Sequence, residues 1–351
     1  MRLRVEHGRR DELKTLHPAY FAMVMATGIV SIAAHLHGVP VFPTVLLWLN
    51  ALFLAALVVA TGARILRYPQ AFAADIQSHS RGVGFFTIVA GTAVFGTQLV
   101  LLIGAARVAA VFWIASATLW AVVTYGELAV LTVKPDKPSL ADGLNGAWLV
   151  TVVAAQSVAL LMVLISAGGI FIGFQRPMLF MALVLWLGGG ALYLWIVTLI
   201  FFRYTFVHMA PDDLTPPYWI NMGAVAISTL VGATLAKHAA LSPVISELVP
   251  FVKGFSLFFW AVATWWIPML VVLGVWHYLI CGVPFAYEPL YWGGVFPLGM
   301  YSVATYHLTK ILEAPFLMGL SQAFMIIALA AWSATLIGFL DAQLNPMNRV
   351  R

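Results

Sequence analysis

The stretch YWGGVFPLGMYSVATY, residues 291–306, places two adjacent glycines, a large aromatic residue and a proline inside one apolar segment. A segment that only has to cross a membrane would form a more stable helix with leucine at those positions. Proline removes a backbone hydrogen bond and clashes with the preceding turn, so a helix should bend at Pro297. Gly293 and Gly294 permit such a bend and a close approach of neighbouring helices. The stretch therefore predicts a kinked helix with Phe296 at the kink.

The composition of the whole chain is that of a membrane protein. Of its 351 residues, 62% are hydrophobic and only 9% are charged, whereas a soluble domain carries about 25% charged residues. A helix of about 20 mostly apolar residues crosses the hydrocarbon core of a bilayer. Ten such segments are present, at residues 18–37, 42–62, 82–104, 108–132, 147–167, 177–202, 216–236, 254–280, 289–309 and 317–340. The prediction is an all-α integral membrane protein with one ten-helix domain, residues 18–340, between tails of residues 1–17 and 341–351.

The lysines and arginines indicate the orientation of the segments. Thirteen of the 18 lie in the two tails and in one set of loops. Loops that carry an excess of Lys and Arg stay in the cytoplasm. We therefore expect a multi-pass protein of the inner (plasma) membrane with both termini in the cytoplasm. The five basic residues of the opposite side are Arg107, Arg176, Lys237, Lys253 and Lys310.

Tryptophan and small polar residues divide the segments into two sets. Ten of the 13 tryptophans fall in even-numbered segments, which suits contact with lipid. Ser, Thr, Asn and Gln are more frequent in odd-numbered segments, and polar groups in the membrane need a partner or water. Odd segments are thus expected to face an inner cavity, although hydrogen bonding between helices would also explain the pattern. The candidate pore-lining residues are Thr27, Ser31, Thr92, Gln98, Gln156, Asn221, Ser228 and Ser302.

Charge is scarce within the segments. Glu127 is the only acidic residue well inside a segment. Its side chain either extends toward the cytoplasmic interface or carries a proton for coupled transport. No Lys or Arg lies deep in an odd-numbered segment. A pore without fixed charge holds no ion tightly and discriminates by dehydration cost and backbone dipoles, which is the behaviour of a channel.

Other classes of function are disfavoured. The chain has no basic face or reader motif for nucleic acid, and no nucleophile motif, phosphate loop or carboxylate pair for an enzyme. A membrane enzyme acting on a lipid or quinone would need a charged or metal-binding cluster at one interface, and the sequence has none. His35 and His37 indicate a polar role at the interface rather than a metal site, and the single Cys281 excludes an internal disulfide. We expect neither a metal nor a cofactor.

Three stretches resemble the tellurite-resistance and C4-dicarboxylate transporter family: FAMVMATGIVSIAA (21–34), PPYWINMGAVAISTLVGATL (216–235) and WGGVFPLGMYSVAT (292–305). This family includes bacterial tellurite-resistance proteins, fungal malate permeases and sulfite pumps, and plant slow anion channels. The resemblance covers essentially the whole chain. It implies five helical hairpins around a pseudo-fivefold axis, with odd-numbered helices lining a pore in each subunit of a homotrimer. It also implies that Phe296 plugs the pore at mid-membrane.

The function expected from these observations is channel-like transport of small anions through an uncharged pore that Phe296 occludes. The alternative is a secondary carrier, with or without proton coupling, that moves C4-dicarboxylates such as malate or exports tellurite or sulfite. Chloride, nitrate, dicarboxylate, sulfite and tellurite are all anions that such a pore could pass. Five equivalent helix kinks are not expected, because segments one, three and five lack a proline at mid-span, whereas Pro268 interrupts an even-numbered segment.

Overall fold

The computed structural model describes residues 12–344, and the regular structure in this part of the chain is helical. Short helices occupy residues 12–15, Pro69–Ile76 and Leu140–Gly143. The ten long helices are α1 Ala22–Leu36, α2 Phe42–Arg67, α3 Phe86–Ile103, α4 Ala106–Val133, α5 Val150–Ala167, α6 Gln175–Phe206, α7 Ile220–Lys237, α8 Pro243–Val275, α9 Tyr291–Leu312 and α10 Met318–Leu344.

Nine helices among the described residues are long and apolar enough to cross a membrane, and they include every long helix except α9. With 22 residues, α9 is long enough, but its glycines, tyrosines, His307 and Pro297 make it less apolar than the others. The structure also corrects one expectation, because α8 continues from Pro243 to Val275 without a break at Pro268. Likewise α9 continues through Pro297, so the kink stays a prediction.

Burial alternates along the chain. In the most apolar stretches of α1, α3, α5 and α7, with their preceding turns, between 72% and 94% of residues are buried. In α2, α4, α6, α8 and α10 the share lies between 17% and 39%. In α9, 14 of the 22 residues are buried. Within the described residues, odd-numbered helices therefore form an inner layer and even-numbered helices an outer layer, as the tryptophans and polar residues predicted.

The inner helices form a closed ring. Each packs against the next one in chain order, from α1 to α3, α5, α7 and α9, and α9 packs in turn against α1. Each outer helix packs against the inner helix that precedes it and against the next inner helix around the ring. The outer helices thus cover the grooves between neighbouring inner helices. Four inner helices begin with a 3-10 turn, at Pro18–Phe21, Gly82–Phe85, Gly146–Leu149 and Pro216–Trp219.

Glycine permits close contact between α7 and α9 at one position. A Cβ atom on Gly223 would lie 2.8 Å from Cγ of Pro297 and 3.2 Å from its Cα. Gly293 and Gly294 do not make the close approach expected of them, because the nearest atom to a Cβ on either would lie 3.7 Å away. The glycine required for packing in this part of the ring is therefore Gly223, on the neighbouring helix.

We predict that Gly223→Ala destabilises the fold, because the added methyl group must displace the rigid ring and backbone of Pro297. Overpacking of this kind costs about 1–3 kcal/mol. The measurement is the midpoint of thermal unfolding of the detergent-solubilised protein, which should fall by several degrees. Gly294→Ala is the matched control, because its methyl group has room, and it should leave the midpoint nearly unchanged. Equal midpoints for the two variants would contradict the close contact.

Candidate functional site

A cavity of about 170 Å³ lies where the amino-terminal ends of all five inner helices meet. Because the amino-terminal end of each inner helix reaches this cavity, the five helices are parallel to one another. We call this cavity the vestibule. Within the inner helices it is lined by Ala22 and Met25 of α1, Thr87 of α3, Val150 of α5, Ile220 of α7, and Gly293 and Phe296 of α9.

Phe296 lies at the inner end of the vestibule. Along their helices, Met25 and Phe296 are the lining residues furthest from the amino terminus. The aromatic side chain of Phe296 is completely buried. The next residue, Pro297, packs on Gly223, which fixes the backbone of α9 beside the ring. The other large apolar lining residues of the inner helices are Met25, Val150 and Ile220, which carry no ionisable group.

The rim of the vestibule is polar and is built from capping residues. Asn145 accepts a hydrogen bond from the amide of Ala147 through Oδ1 at 2.9 Å, and His17 accepts one from the amide of Ala19 through Nδ1 at 3.1 Å. Ser80 and Thr215 complete the uncharged part of the rim. The first amides of a helix lack partners within the helix, and its amino-terminal end carries about half a positive charge. Five such ends around one cavity favour an anion there.

An ion-pair cluster of two arginines and one aspartate adds positive charge at the rim. Nε of Arg81, which lines the vestibule, lies 2.7 Å from Oδ1 of Asp75, and Nη2 of Arg64 lies 2.7 Å from Oδ2. Burial alone would raise the pKa of Asp75, but hydrogen bonds from Arg81 and Arg64 outweigh it and lower the pKa. Asp75 is therefore ionised, and the cluster has a net charge of about +1.

The same arginines hold the segment that precedes α1. Nε of Arg64 donates to the carbonyl oxygen of Lys14 at 3.2 Å, and Nη2 of Arg81 lies 3.5 Å from that of Thr15. His17, two residues further on, is uncharged at neutral pH. Burial, with the positive charge of Arg81 as the next cause, lowers the pKa of His17 from 6.5 to about 4. The positive charge of the rim thus comes from arginine rather than histidine.

Most of the predicted pore-lining residues of α1 and α3 bond to the outer layer. Oγ of Ser31 donates to the carbonyl oxygen of Pro43 at 2.8 Å, and Oγ1 of Thr27 accepts from Trp332 Nε1 at 3.0 Å. Oε1 of Gln98 accepts from Nδ2 of Asn50 at 2.9 Å. Thr92 is buried in α3.

The predicted residues of α5, α7 and α9 follow the same rule. Three of them bond to an outer helix: Gln156 Nε2 to the carbonyl oxygen of Trp186 at 3.0 Å, Asn221 Nδ2 to the hydroxyl of Tyr204 at 3.1 Å, and Ser302 Oγ to the carbonyl oxygen of Ser321 at 2.7 Å. The fourth, Ser228, donates to Ala224 within its own helix at 2.8 Å. These bonds favour the alternative explanation, hydrogen bonding between helices, and the pore-lining role stays a prediction.

The structure brings together lining residues that sequence reasoning did not select. Met25, Val150 and Ile220 are apolar, so a search for polar residues passed over them. Their common signal is position, because each lies within the first turns of an odd-numbered helix, next to a proline- or glycine-containing turn. Phe296 occupies the corresponding position in α9, so of the sequence candidates it is Phe296 and Gly293 that line the vestibule.

Glu127 lies behind the rim of the vestibule rather than at the surface. Its side chain is buried, with 4% of the residue exposed. Neither carboxylate oxygen has a hydrogen-bond partner among residues 12–344. A methyl group on Gly82 would overlap Oε1 of Glu127, so the carboxyl group packs directly on the turn that begins α3. An isolated carboxylate in such a place is costly, and a protonated carboxyl group is the stable form.

We predict that acid destabilises the wild-type protein more than His17→Gln. Because the pKa of His17 is lower in the folded protein, its contribution to stability is complete above pH 6.5 and is lost as the pH falls toward 4. Up to about 3 kcal/mol is involved. Glutamine can still accept from Ala19 but does not titrate. Unfolding midpoints measured between pH 7.5 and pH 4.5 should therefore diverge at the acidic end, and parallel curves would contradict the assignment.

Comparison with known proteins identifies the family of the chain. The family model described as voltage-dependent anion channel matches residues 15–340. Two uncharacterized transporters of Methanocaldococcus jannaschii are similar over most of their length: one is 23% identical over 93% of both chains, the other 22% identical over 85% of this chain and 86% of its own. An uncharacterized membrane protein of Mycobacterium tuberculosis is 38% identical over 42% of this chain and 75% of its own. The voltage-dependent anion channel family is the tellurite-resistance and C4-dicarboxylate transporter family that the sequence resembles, so the match confirms the resemblance. The chain belongs to this family.

Proposed function

We propose that the protein conducts small anions across the inner (plasma) membrane through a pore along the axis of the inner ring, and that Phe296 closes this pore. The observation that carries the proposal is the vestibule, which is enclosed by five helix amino termini and ends at the buried ring of Phe296. Membership of a family of membrane anion channels supports transport of anions in general. All ten long helices, α9 included, cross the membrane as five hairpins around a pseudo-fivefold axis.

The electrostatics of the vestibule favour anions over cations. The helix ends and the cluster of Arg64, Arg81 and Asp75 present positive charge where an ion enters. Beyond the rim the lining is apolar apart from Thr87, whose hydroxyl donates to backbone carbonyl oxygens, and Met25 and Phe296 lie at its inner end. An ion that passes this region gives up water without meeting a fixed opposite charge. Weakly hydrated monovalent anions such as nitrate and chloride therefore pass more readily than dicarboxylate, sulfite or tellurite.

The packing around Phe296 supports a particular way of opening the pore. Because Pro297 packs on Gly223, the backbone beside the gate cannot move toward α7. Opening therefore requires rotation of the Phe296 ring or displacement of α9 as a whole. The polar residues of the inner helices support this arrangement, because their hydrogen bonds to outer helices hold the inner helices in place around the pore.

Orientation and assembly complete the proposal. The excess of Lys and Arg in the tails and in one set of loops supports cytoplasmic termini. The vestibule lies on that same side, because Arg81 belongs to that set and stands at its rim, where Asp75 joins it to Arg64. As the family resemblance implies, each subunit of a homotrimer contains its own pore.

We predict that Phe296→Ala raises anion flux severalfold or more, because alanine leaves the inner end of the vestibule open. Flux of chloride, nitrate and malate into proteoliposomes is measured for both proteins, with and without a pH gradient. The control is Phe95→Ala, which removes a buried aromatic ring of α3 that packs on Phe112 of α4 with ring centroids 5.0 Å apart. It should not raise flux. Unchanged flux in a normally folded Phe296→Ala protein would remove the gate role.

A proton-coupled carrier is the second candidate, and Glu127 is the observation that favours it. Its buried, unpartnered carboxyl group is able to hold a proton next to the first turn of α3. The carrier would move a C4-dicarboxylate such as malate, or export tellurite or sulfite, with the proton gradient as the driving force.

We predict that Glu127→Gln leaves anion flux unchanged, since a channel does not need this proton and glutamine replaces a protonated carboxyl group with little change in shape. The measurement is malate and chloride flux with an imposed pH gradient. A carrier would instead show saturable, malate-selective flux that follows the gradient in the wild type and loses this dependence in the variant. That outcome would replace the channel with the carrier.

A further inference from the structure

The end of the ring opposite the vestibule carries a group of basic and titratable side chains. Helix α7 ends at Lys237 and is followed by His238, and the last turns of α9 contain His307 and Lys310. These two helices pack side by side in the ring, so the four side chains belong to one region. We call them the carboxyl-end cluster.

Helical geometry places both histidines on the face that lines the pore. Three turns of an α-helix span about 10.8 residues, and five turns span about 18. His307 follows Phe296 by 11 residues (307 − 296), and His238 follows Ile220 by 18 (238 − 220). Phe296 and Ile220 both line the vestibule. Each histidine therefore lies on the same face as a lining residue, at the far end of the same helix.

Each imidazole of the cluster has a ring nitrogen that is able to bind a proton. Nε2 of His307 is buried and has no hydrogen-bond partner in the described part of the chain. Nδ1 of His238 lies 2.9 Å from the carbonyl oxygen of Thr234, so in the neutral form this nitrogen carries the hydrogen and Nε2 can accept a proton. Lys237 and His238 are close enough to His307 for their positive charge to repel a protonated imidazole, and a bound anion offsets this repulsion. A protonated imidazole here would present a new donor beside a lysine.

Within the described residues, Lys237 and Lys310 form no ion pair with a carboxylate. Two acidic residues belong to neighbouring parts of the chain, Glu247 in α8 and Glu313 directly after α9. Nζ of Lys310 instead lies 5.4 Å from the ring centre of Tyr306, and that ring lies 5.6 Å from the ring of His307.

The other charged or titratable groups of this region lie on α8 and α1. Lys253 of α8 adds a further positive charge. His35 is in the last turn of α1, and His37 directs Nε2 to Oγ of Ser321 at 2.9 Å, toward α10. Lys237 acts electrostatically on both His238 and His307, so the charge next to the imidazoles is positive and an anion is the ligand that fits them.

A physical reason for positive charge at this end follows from the direction of the helices. Five parallel inner helices place five carboxyl-terminal ends together, and each carries about half a negative charge. An anion that has passed Phe296 meets this repulsion as it leaves. Basic side chains in the last turns offset it, and among the inner helices they occur in α1, α7 and α9 but not in α3 or α5.

We propose that His238, His307, Lys237 and Lys310 form a second anion-binding site at the carboxyl-terminal mouth of the ring, and that protonation of its histidines strengthens it. The site takes a monovalent anion such as chloride or nitrate. This inference rests on the proposed function, because it assigns the cluster to the pore that begins at the vestibule. Acid on this side of the membrane therefore increases anion occupancy of the mouth.

The test uses planar bilayers, in which the pH of each compartment is set independently. Currents are recorded in the Phe296→Ala background, so that the gate does not limit them, over a range of chloride concentrations. Lowering the pH from 7.5 to 5.5 in one compartment should reduce the half-saturating chloride concentration severalfold, and the other compartment should have no such effect. The responsive compartment identifies the side on which the cluster lies.

Three further variants identify the residues that cause the pH response and bind the anion. His238→Gln with His307→Gln should abolish the pH response. Lys237→Gln with Lys310→Gln should raise the half-saturating concentration severalfold at both pH values while retaining the response. The control is His208→Gln, an exposed histidine in the connection between α6 and α7, and it should behave as the background protein. A pH response that survives in the double histidine variant would overturn the proposal, as would an unchanged half-saturating concentration in the double lysine variant.

A binding measurement separates failure of this site from failure of the proposed function. Absence of current in both the wild type and Phe296→Ala would refute the channel. In that case nitrate replaces gluconate at constant ionic strength and pH 5.5, and the unfolding midpoint is compared. Nitrate should raise the midpoint of the wild type by several degrees more than that of the double histidine variant. Equal shifts would overturn the site independently of transport.

Discussion

The structure depends on one constraint, which is that five inner helices run in the same direction around a common axis. Their dipoles are parallel and repel one another, and the outer helices supply the compensation. The carboxyl end of α2 brings Arg64 to Asp75 at the rim of the vestibule, and that of α6 brings Arg203 to the hydroxyl of Tyr218 at the start of α7. Outer helices therefore run antiparallel to inner ones, and each hairpin pairs opposite dipoles.

This arrangement also explains where the polar residues point. An inner helix has a neighbour on nearly every side, and the narrow strip that faces the axis is only one of its faces. Hydroxyl and amide groups that bond to an outer helix hold the two helices together without placing a hydrogen-bonding group at the axis of the ring. The reciprocal bonds between Ser302 and Ser321, at 2.7 and 2.8 Å, are the clearest case. The axial strip near the vestibule is left to Met25, Val150, Ile220 and Phe296.

Parallel helices make the two ends of the ring electrostatically unequal, and the charged residues follow this inequality. At the amino-terminal end, where dipoles already favour anions, Asp75 partly neutralises two arginines. At the carboxyl-terminal end, where dipoles disfavour anions, Lys237 and Lys310 have no carboxylate partner within the described residues. Positive charge is thus left uncompensated at the end where the backbone itself is negative.

Much of the protein follows from the sequence alone, because hydropathy and residue type are local properties. The ten segments and the inner and outer layers came from such patterns, and the family came from the resemblance of three stretches of sequence. Helix ends were less exact: α8 begins at Pro243 rather than at residue 254, and α10 extends to Leu344, beyond the predicted boundary at residue 340. The predicted tail residues 1–11 and 345–351 lie outside the described residues.

Tertiary structure alone decided which face of each inner helix meets the axis. A helix that is buried all round has no amphipathic pattern that identifies this face. The sequence therefore predicts polar residues as lining, whereas the structure shows that most of them bond to the outer layer. The vestibule, the packing of Pro297 on Gly223 and the joining of Arg64, Asp75 and Arg81 each depend on how separate segments pack. Sequence periodicity describes one helix at a time, and these features exist only between helices.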